Sequence, residues 1–390
     1  MPRLRIGVNA LYLIPGGVGG TEIYLRSLLH ALAEIDPRNE YILFINRETG
    51  PDLAPDAPNF KLAPQPVRAA VRPYRILWEQ LALPVAARYH RLSVLLNPGF
   101  TAPVLARCPQ VTVFHDLQHK RHPEHFRRLD LPFWRMLLYA SARRSRRLIA
   151  VSEATRDDLA AFYRLPPERI AVVPHGVDQR MFGIAGARAP EPFLLCVSTL
   201  HPHKNLDRLL RAFAGLRHQR PEFKLVLAGM KGFSTRAVED LAADLGLGAS
   251  VRITGWLPRE QLYELFRTAW AFVYPSTFEG FGMPVLEAMA AGVPIACSDI
   301  RPLRDVAGGA ALLFDPLDET AIANALERLV SDDAERARLV AAGQQRARHF
   351  SWRRAAEQTL AVLGNVGTDG TFPGECGDTP GWLHGNNRLK

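Results

Sequence analysis

Apolar residues recur along the first half of the chain in two alternating rhythms. Short, nearly unbroken apolar runs at residues 4–9, 41–45, 94–96, 111–114 and 148–151 predict buried strands. Between them, residues 22–34 (opened by Thr21) and 153–163 carry the three-to-four-residue spacing of amphipathic helices. Strands without polar alternation, separated by helices, predict a doubly wound parallel sheet covered on both faces. Several of these runs end at Gly, Pro, Ser or His, the end of a strand where such sheets bind ligands.

The rhythm stops over the loose stretch 183–192 and then restarts. Strands are predicted at 193–197, 224–228, 251–254, 271–274 and 295–298, with helices over 206–219, 236–245 and 319–330. The expected architecture is therefore α/β, with two doubly wound Rossmann-like domains facing each other across a cleft. The first spans 1–182, the linker 183–192 and the second 193–350. The tail 364–390 holds seven glycines and little periodicity, and is expected to be disordered and without a catalytic role.

Composition narrows the class. A chain of 390 residues exceeds one ordinary core. No apolar run approaches the ~18–20 residues needed to span a bilayer. The N-terminus enters a strand directly, without a signal-peptide pattern. Cys108, Cys196, Cys297 and Cys376 are scattered, which argues against a disulfide framework or a zinc site and for a reducing cytoplasm. Residues 1–190 carry 26 Lys and Arg against 16 Asp and Glu, whereas the remainder carries 22 against 23. The first half thus faces something anionic, and nucleic acid and a membrane surface both fit that charge.

The chemistry concentrates between Pro275 and Pro294. A strand ends at Tyr274, and a loop with Glu279, Gly280, Phe281 and Gly282 leads into a helix starting near Met283 and Pro284. The N–H groups of such a start bind anions such as a diphosphate. Glu279 precedes the helix and Glu287 lies about one turn inside it, so both can face one pocket. Singly, either would be an ordinary helix-start carboxylate. Together, beside a phosphate site, they suit the hydroxyls of a sugar and a ribose. Lys204 follows another strand in the run Ser198, Thr199, Leu200, His201, Pro202, His203, Lys204, Asn205 and can neutralise a phosphate, though a lone Lys there is more often just solvated. In the first half, Gly16, Gly17, Gly19 and Gly20 form a loop after the first strand that matches neither a Walker A loop nor Gly-x-Gly-x-x-Gly. It is either a flexible turn or a ligand loop. His115 and Asp116 close another strand. No metal-ligand cluster shows in the spacing.

Glu279 and Glu287 are spaced as in the Glu-x7-Glu motif, and the whole segment resembles retaining GT-B glycosyltransferases of family four, the group 1 glycosyltransferases. Segments 151–154, 174–178 and 350–352 also look like that family, so the resemblance reaches to about residue 363. It implies that Glu279 and the amides of Gly280, Phe281 and Gly282 contact the donor sugar and phosphates, with Met283 and Pro284 beside them. It implies Glu287 on the ribose, Lys204 on a phosphate with Thr199 and Asn205 nearby, and His115 and Asp116 near the donor sugar. The loop of Gly16, Gly17, Gly19 and Gly20 would close over the donor, and residues 351–363 would cross back to the first domain. Many members carry an Arg where Thr199 stands here, a departure that leaves the second positive charge missing or supplied from elsewhere.

His115, Lys204 and Glu279 are then the expected catalytic residues. No essential metal or other cofactor is expected, and the donor enters as substrate. The overall pattern resembles bacterial mannosyltransferases of O-antigen and exopolysaccharide assembly, which implies GDP-mannose and a glycan or lipid-linked glycan acceptor. UDP-, dTDP- and ADP-sugars stay open, as does a nucleotide-sugar 2-epimerase on the same fold. Residues 120–147 interleave nine basic residues with aromatic and aliphatic ones. Such a segment either rests on the anionic cytoplasmic face of the inner membrane or packs one side into the core. A nucleic-acid-binding protein is the remote non-enzyme reading, and no nucleic-acid-binding signature supports it.

Overall fold

The structure is a computed structural model that describes residues 3–368 except 18, 185, 187, 188 and 190. Seven strands build the first sheet: β1 (Arg5–Asn9), β2 (Glu40–Ile45), β3 (Phe60–Pro64), β4 (Val94–Asn97), β5 (Gln110–Phe114), β6 (Arg147–Ala150) and β7 (Ile170–Val172). Their spatial order is β3-β2-β1-β4-β5-β6-β7, and every pair is parallel. Six more form the second sheet: β8 (Phe193–Val197), β9 (Lys224–Ala228), β10 (Val251–Gly255), β11 (Ala271–Tyr274), β12 (Ile295–Ser298) and β13 (Leu312–Phe314). Their order is β10-β9-β8-β11-β12-β13, again parallel throughout. The order reverses at β1/β4 and at β8/β11, and a crevice opens beyond the carboxyl ends at such a reversal. The two-domain GT-B arrangement expected above is the one observed.

Burial explains why the central strands were legible. β2, β4 and β5 are buried along their whole length. The helix Gly20–Ile35 buries Tyr24, Leu25, Leu28, Leu29 and Leu32 on one stripe, each Leu worth about 1.5–3 kcal/mol. That helix starts one residue before Thr21, because Gly19, at φ +57°, turns the chain into it.

The first domain passes to the second earlier than 183–192. Gly183 N–H already donates to Ala290 O at 3.4 Å and Gly186 N–H to Arg267 O at 3.0 Å, so these two residues lie on the second domain. The return crossing lies beside the outgoing one. Val177 and Ser351 form a parallel bridge, and a side chain on Gly176 would stand 2.1 Å from the Trp352 nitrogen. The helix Trp352–Thr368 then lies against Gly20–Ile35. It buries Ala355, Ala356, Thr359, Leu363 and Val366, so the crossing helix runs past 363. The rest of the tail expected to be disordered, 369–390, lies outside the described residues, as does Cys376.

Candidate active site

Between the two sets of strand ends lies a pocket of about 570 Å³ with walls from both domains. It gathers Gly16, Gly19, Gly20, His115, Asp116, Thr199, Lys204, Glu279, Gly280, Phe281, Gly282, Met283, Pro284 and Glu287. Two expected members lie outside it. Gly17 packs its backbone against Ile14. Asn205 is buried, and its amide donates to the Pro275 and Pro316 carbonyls at 3.1 and 2.7 Å. With its hydrogens spent on those carbonyls, Asn205 ties the loops after β11 and β13 together and lines a neighbouring cleft instead of this pocket.

The floor comes from the second domain. The helix Met283–Ala291 begins at Gly282, with φ +105° and no side-chain cap. Pro284 has no N–H and the Val285 N–H closes on Gly282 O at 3.1 Å, so the helix itself offers an anion the Met283 amide, next to the backbone of Gly280, Phe281 and Gly282. A side chain on Gly282 would strike Leu303 at 2.4 Å. Lys204 reaches in from the loop after β8, where its Nζ donates to Glu279 Oε1 at 2.5 Å and to the Tyr274 hydroxyl at 3.0 Å. Burial and the Glu279 charge hold the Tyr274 phenol well above its ordinary range, so it stays neutral.

Glu287 is buried, and Arg259 stands 3.0 Å from its Oε1. The contact is an ion pair, and that oxygen has room for a further donor. Burial raises the Glu287 pKa while Arg259 opposes the rise. Such a buried acceptor suits an incoming hydroxyl. Arg259 was not foreseen. It sits 55 residues past Lys204 in sequence and brings a second cation into the pocket that has Thr199 in its wall.

The roof comes from the first domain, where Arg26 pairs with Glu22 at 2.9 Å beside the glycine loop. His115 is buried at the end of β5, and its Nε2 lies 2.9 Å from the Pro98 carbonyl. A carbonyl only accepts, so Nε2 carries the proton and Nδ1 keeps the lone pair. Burial lowers its pKa to about 4, which leaves the ring neutral at pH 7. Burial raises the Asp116 pKa, and nearby Glu279 pushes the same way. His175, not among the expected site residues, also lines the pocket. It stacks on Phe281 and Trp352, with neither ring nitrogen hydrogen-bonded.

Floor and roof meet at Gly280. A side chain there would lie 1.7 Å from His115 O, and its carbonyl accepts from the Ser152 hydroxyl at 2.6 Å. Only a glycine lets the two backbones come this close. On the far side a Cβ added to Gly16 would stand 3.9 Å from the Trp256 ring and one added to Gly19 3.5 Å from the Met230 methyl. The glycine loop thus lies along the cleft, close to second-domain side chains.

Comparison with known proteins agrees with this geometry. Residues 18–180 match the family described as Glycosyltransferase Family 4, and residues 178–346 match Glycosyl transferases group 1. An Escherichia coli relative named O-antigen chain mannosyltransferase B is 30% identical over 287 residues, 70% of this chain and 75% of that enzyme. A D-inositol 3-phosphate glycosyltransferase from Stackebrandtia nassauensis is 32% identical over 56% of this chain and 54% of its own. The solved sucrose-phosphate synthase of Thermosynechococcus elongatus superposes with a TM-score of 0.77, covering 93% of this chain and 99% of that one at 21% identity. At that identity the likeness speaks for the fold.

Proposed function

This chain belongs to the group 1 glycosyltransferases, and on that premise we propose that it moves mannose from GDP-mannose to a glycan or lipid-linked glycan acceptor, with retention, in bacterial cell-surface polysaccharide synthesis. One observation carries the reading: an uncapped helix start, Lys204 and two half-paired glutamates share one pocket with a neutral histidine from the other domain. In this reading the diphosphate lies at the helix start and draws Lys204 from Glu279. Glu279, freed of its partner, accepts from the sugar hydroxyls, and Glu287 accepts from the ribose. The bond from the anomeric carbon to the diphosphate oxygen breaks while a bond to the acceptor oxygen forms on the same face. The acceptor proton passes to the leaving phosphate. Lys204 and the amides at the helix start stabilise the charge that develops on the diphosphate. His115 Nδ1 orients a sugar hydroxyl, and no protein nucleophile takes part.

The mannose assignment is supported by the name of the Escherichia coli relative, whereas the inositol-phosphate relative argues for testing other donors. Thermal-shift screening against GDP, UDP, dTDP and ADP, then their sugars, separates them. Stabilisation by GDP and GDP-mannose that is lost in Glu287→Ala is the expected result. A preference for UDP discards mannose, and donor consumed without acceptor supports the epimerase.

A membrane is the expected second partner. The helix Arg72–Tyr89 exposes Tyr74, Leu77, Leu81, Val85 and Tyr89, and Leu131–Arg144 exposes Phe133, Met136 and Tyr139. The Arg72 guanidinium lies 4.3 Å over the Trp134 ring, so the two stripes adjoin. Exposed Arg88, Arg127, Arg128 and Arg143 accompany them. Leu137 and Leu138 meanwhile fill the core, so the second helix serves both sides. An apolar stripe with a cationic border fits an anionic leaflet. Salt-sensitive co-flotation with anionic liposomes, reduced in Leu77→Asp/Leu81→Asp, is expected; no flotation refutes it. Among the described residues no helix is long and apolar enough to cross a membrane.

A further inference from the structure

On the other side of Lys204 from the donor pocket, a second cleft of about 830 Å³ is lined by residues of both domains, His122, Glu124 and His125 from one and His201 and His203 from the other. Nothing in the proposed transfer uses these side chains. Their arrangement has two independent parts.

The first part is local. Pro123–His125 form a single 3-10 turn entered through His122, and Pro123 fixes the backbone between the two histidines. His122 Nδ1 lies 2.9 Å from Glu124 Oε1, and the His122 and His125 rings stack at 5.3 Å and 13°. Ligand atoms from His122, Glu124 and His125 all fall within 4.8 Å of one another. An exposed His–Glu pair by itself contributes little and would explain nothing further. A second imidazole within the same radius makes a three-ligand face.

The second part comes from the opposite domain. The His203 ring centroid stands 5.9 Å from that of His125. The Gln118 amide nitrogen lies between them, 2.9 Å from His203 Nδ1 and 3.4 Å from His125 Nδ1. His201 stacks behind His203 at 5.9 Å. His203 thus faces the His122, Glu124 and His125 group from the other domain, one bridging amide away.

We propose that His122, Glu124 and His125 bind a divalent transition metal of the zinc class, with His203 as the fourth ligand from the second domain. Two or three imidazoles with one carboxylate form a ligand set that zinc favours, whereas magnesium and calcium want oxygen alone. Tetrahedral zinc with bonds of about 2.0–2.1 Å needs its ligand atoms about 3.4 Å apart. The observed three-residue group has to tighten from its spacing of up to 4.8 Å to bind, and the Gln118 amide has to turn aside for His203 to join it. His203 directly precedes Lys204, so an occupied site pins the lysine's loop to the first domain. The metal acts as a clasp across the cleft and takes no part in bond breaking.

The test uses untagged, chelator-stripped full-length protein titrated with zinc by calorimetry, with magnesium as comparator. One equivalent of zinc, no magnesium uptake and a rise in Tm are expected. His122→Ala/His125→Ala should weaken zinc binding by about 100-fold, and Glu124→Gln or His203→Ala by about 10-fold. His203→Ala should also lose most of the zinc-induced Tm rise. Retained nucleotide-induced stabilisation certifies that each variant is folded. Cobalt(II) substitution of the wild type offers a readout without any variant, through the intense visible bands of a tetrahedral nitrogen and oxygen site. Zinc affinity unchanged in the double variant overturns the site, as does wild-type binding weaker than about 0.1 mM. Binding that survives His203→Ala with its full Tm rise overturns the clasp.

Discussion

The two domains contribute to the pocket in opposite ways. The second half of the chain is nearly neutral in sum, with 22 basic against 23 acidic residues, yet it supplies the fixed charges of the floor: Lys204 on Glu279 and Arg259 on Glu287. The strongly basic first half supplies glycine backbone, a neutral His115 and one pair of its own, Arg26 on Glu22. Its excess charge lies outside, along the exposed faces of Arg72–Tyr89 and Leu131–Arg144. Net charge per domain thus reports the outer surface and its partners. A catalytic floor is built from balanced pairs, which cost less to bury than single charges and can be opened by a ligand that replaces one member.

The contrast breaks most severely at the floor. Lys204→Ala removes the cation beside the leaving group and should lower kcat about 10²–10³-fold with folding intact; steady-state kinetics with circular dichroism would read this. A kcat within threefold of wild type would mean that the amides at the helix start suffice. Gly280→Ala attacks the seam between floor and roof. Its new methyl cannot coexist with His115 O at 1.7 Å, so the halves must separate by roughly an ångström and turnover should fall about 10²-fold. Nucleotide binding to the second domain should survive, and equal loss of both would refute the division of labour.

Arg259→Ala sharpens the comparison with a smaller effect. It leaves Glu287 buried and unpaired, and the donor KM should rise about 10-fold. Arg259→Lys should restore part of that, and an unchanged KM would reduce Arg259 to a packing role. The roof responds to pH instead. Below 6.5 the unfolded chain takes up a proton that folded His115 refuses until about 4, because burial disfavours the charged ring. Stability should therefore fall as pH drops from 6.5 towards 4. Urea midpoints at pH 7 and 5 should differ less in His115→Asn than in wild type, with His119, His175 and His203, also depressed by burial, retaining the remaining slope.

Strands with uniformly apolar sequences, such as β8 and β11, were legible to the residue because burial on both faces leaves no alternation to misread. The edges were not. β3, β7 and β13 were missed, since an edge strand needs fewer apolar positions. The helix Arg72–Tyr89 was missed for a different reason: it buries Ile76, Leu83 and Ala87 while exposing Leu77, Leu81 and Val85, so apolar residues ring it and no stripe stands out. In the pocket, Glu279, Glu287 and Lys204 were legible because local spacing places them after strands. Arg259 was not, since only the packing of separate elements brings it to Glu287, and His203 likewise reaches the His122, Glu124 and His125 turn only across the cleft; that turn is local, but its spacing matches no common ligand motif. Asn205 misled because its neighbour reaches the pocket while its own side chain turns to two carbonyls.

The paired crossings at Gly176–Val177 and Ser351–Trp352 have a mechanical consequence. A single tether lets two bodies swing and twist about it freely. Two tethers fastened side by side behave like the stitched spine of a book: they resist torsion and leave opening and shutting as the soft direction. Each time the covers part and close again, the glycine backbone and the charged floor return to the same alignment, so accuracy at the reacting centre is inherited from the binding rather than found anew at every turnover.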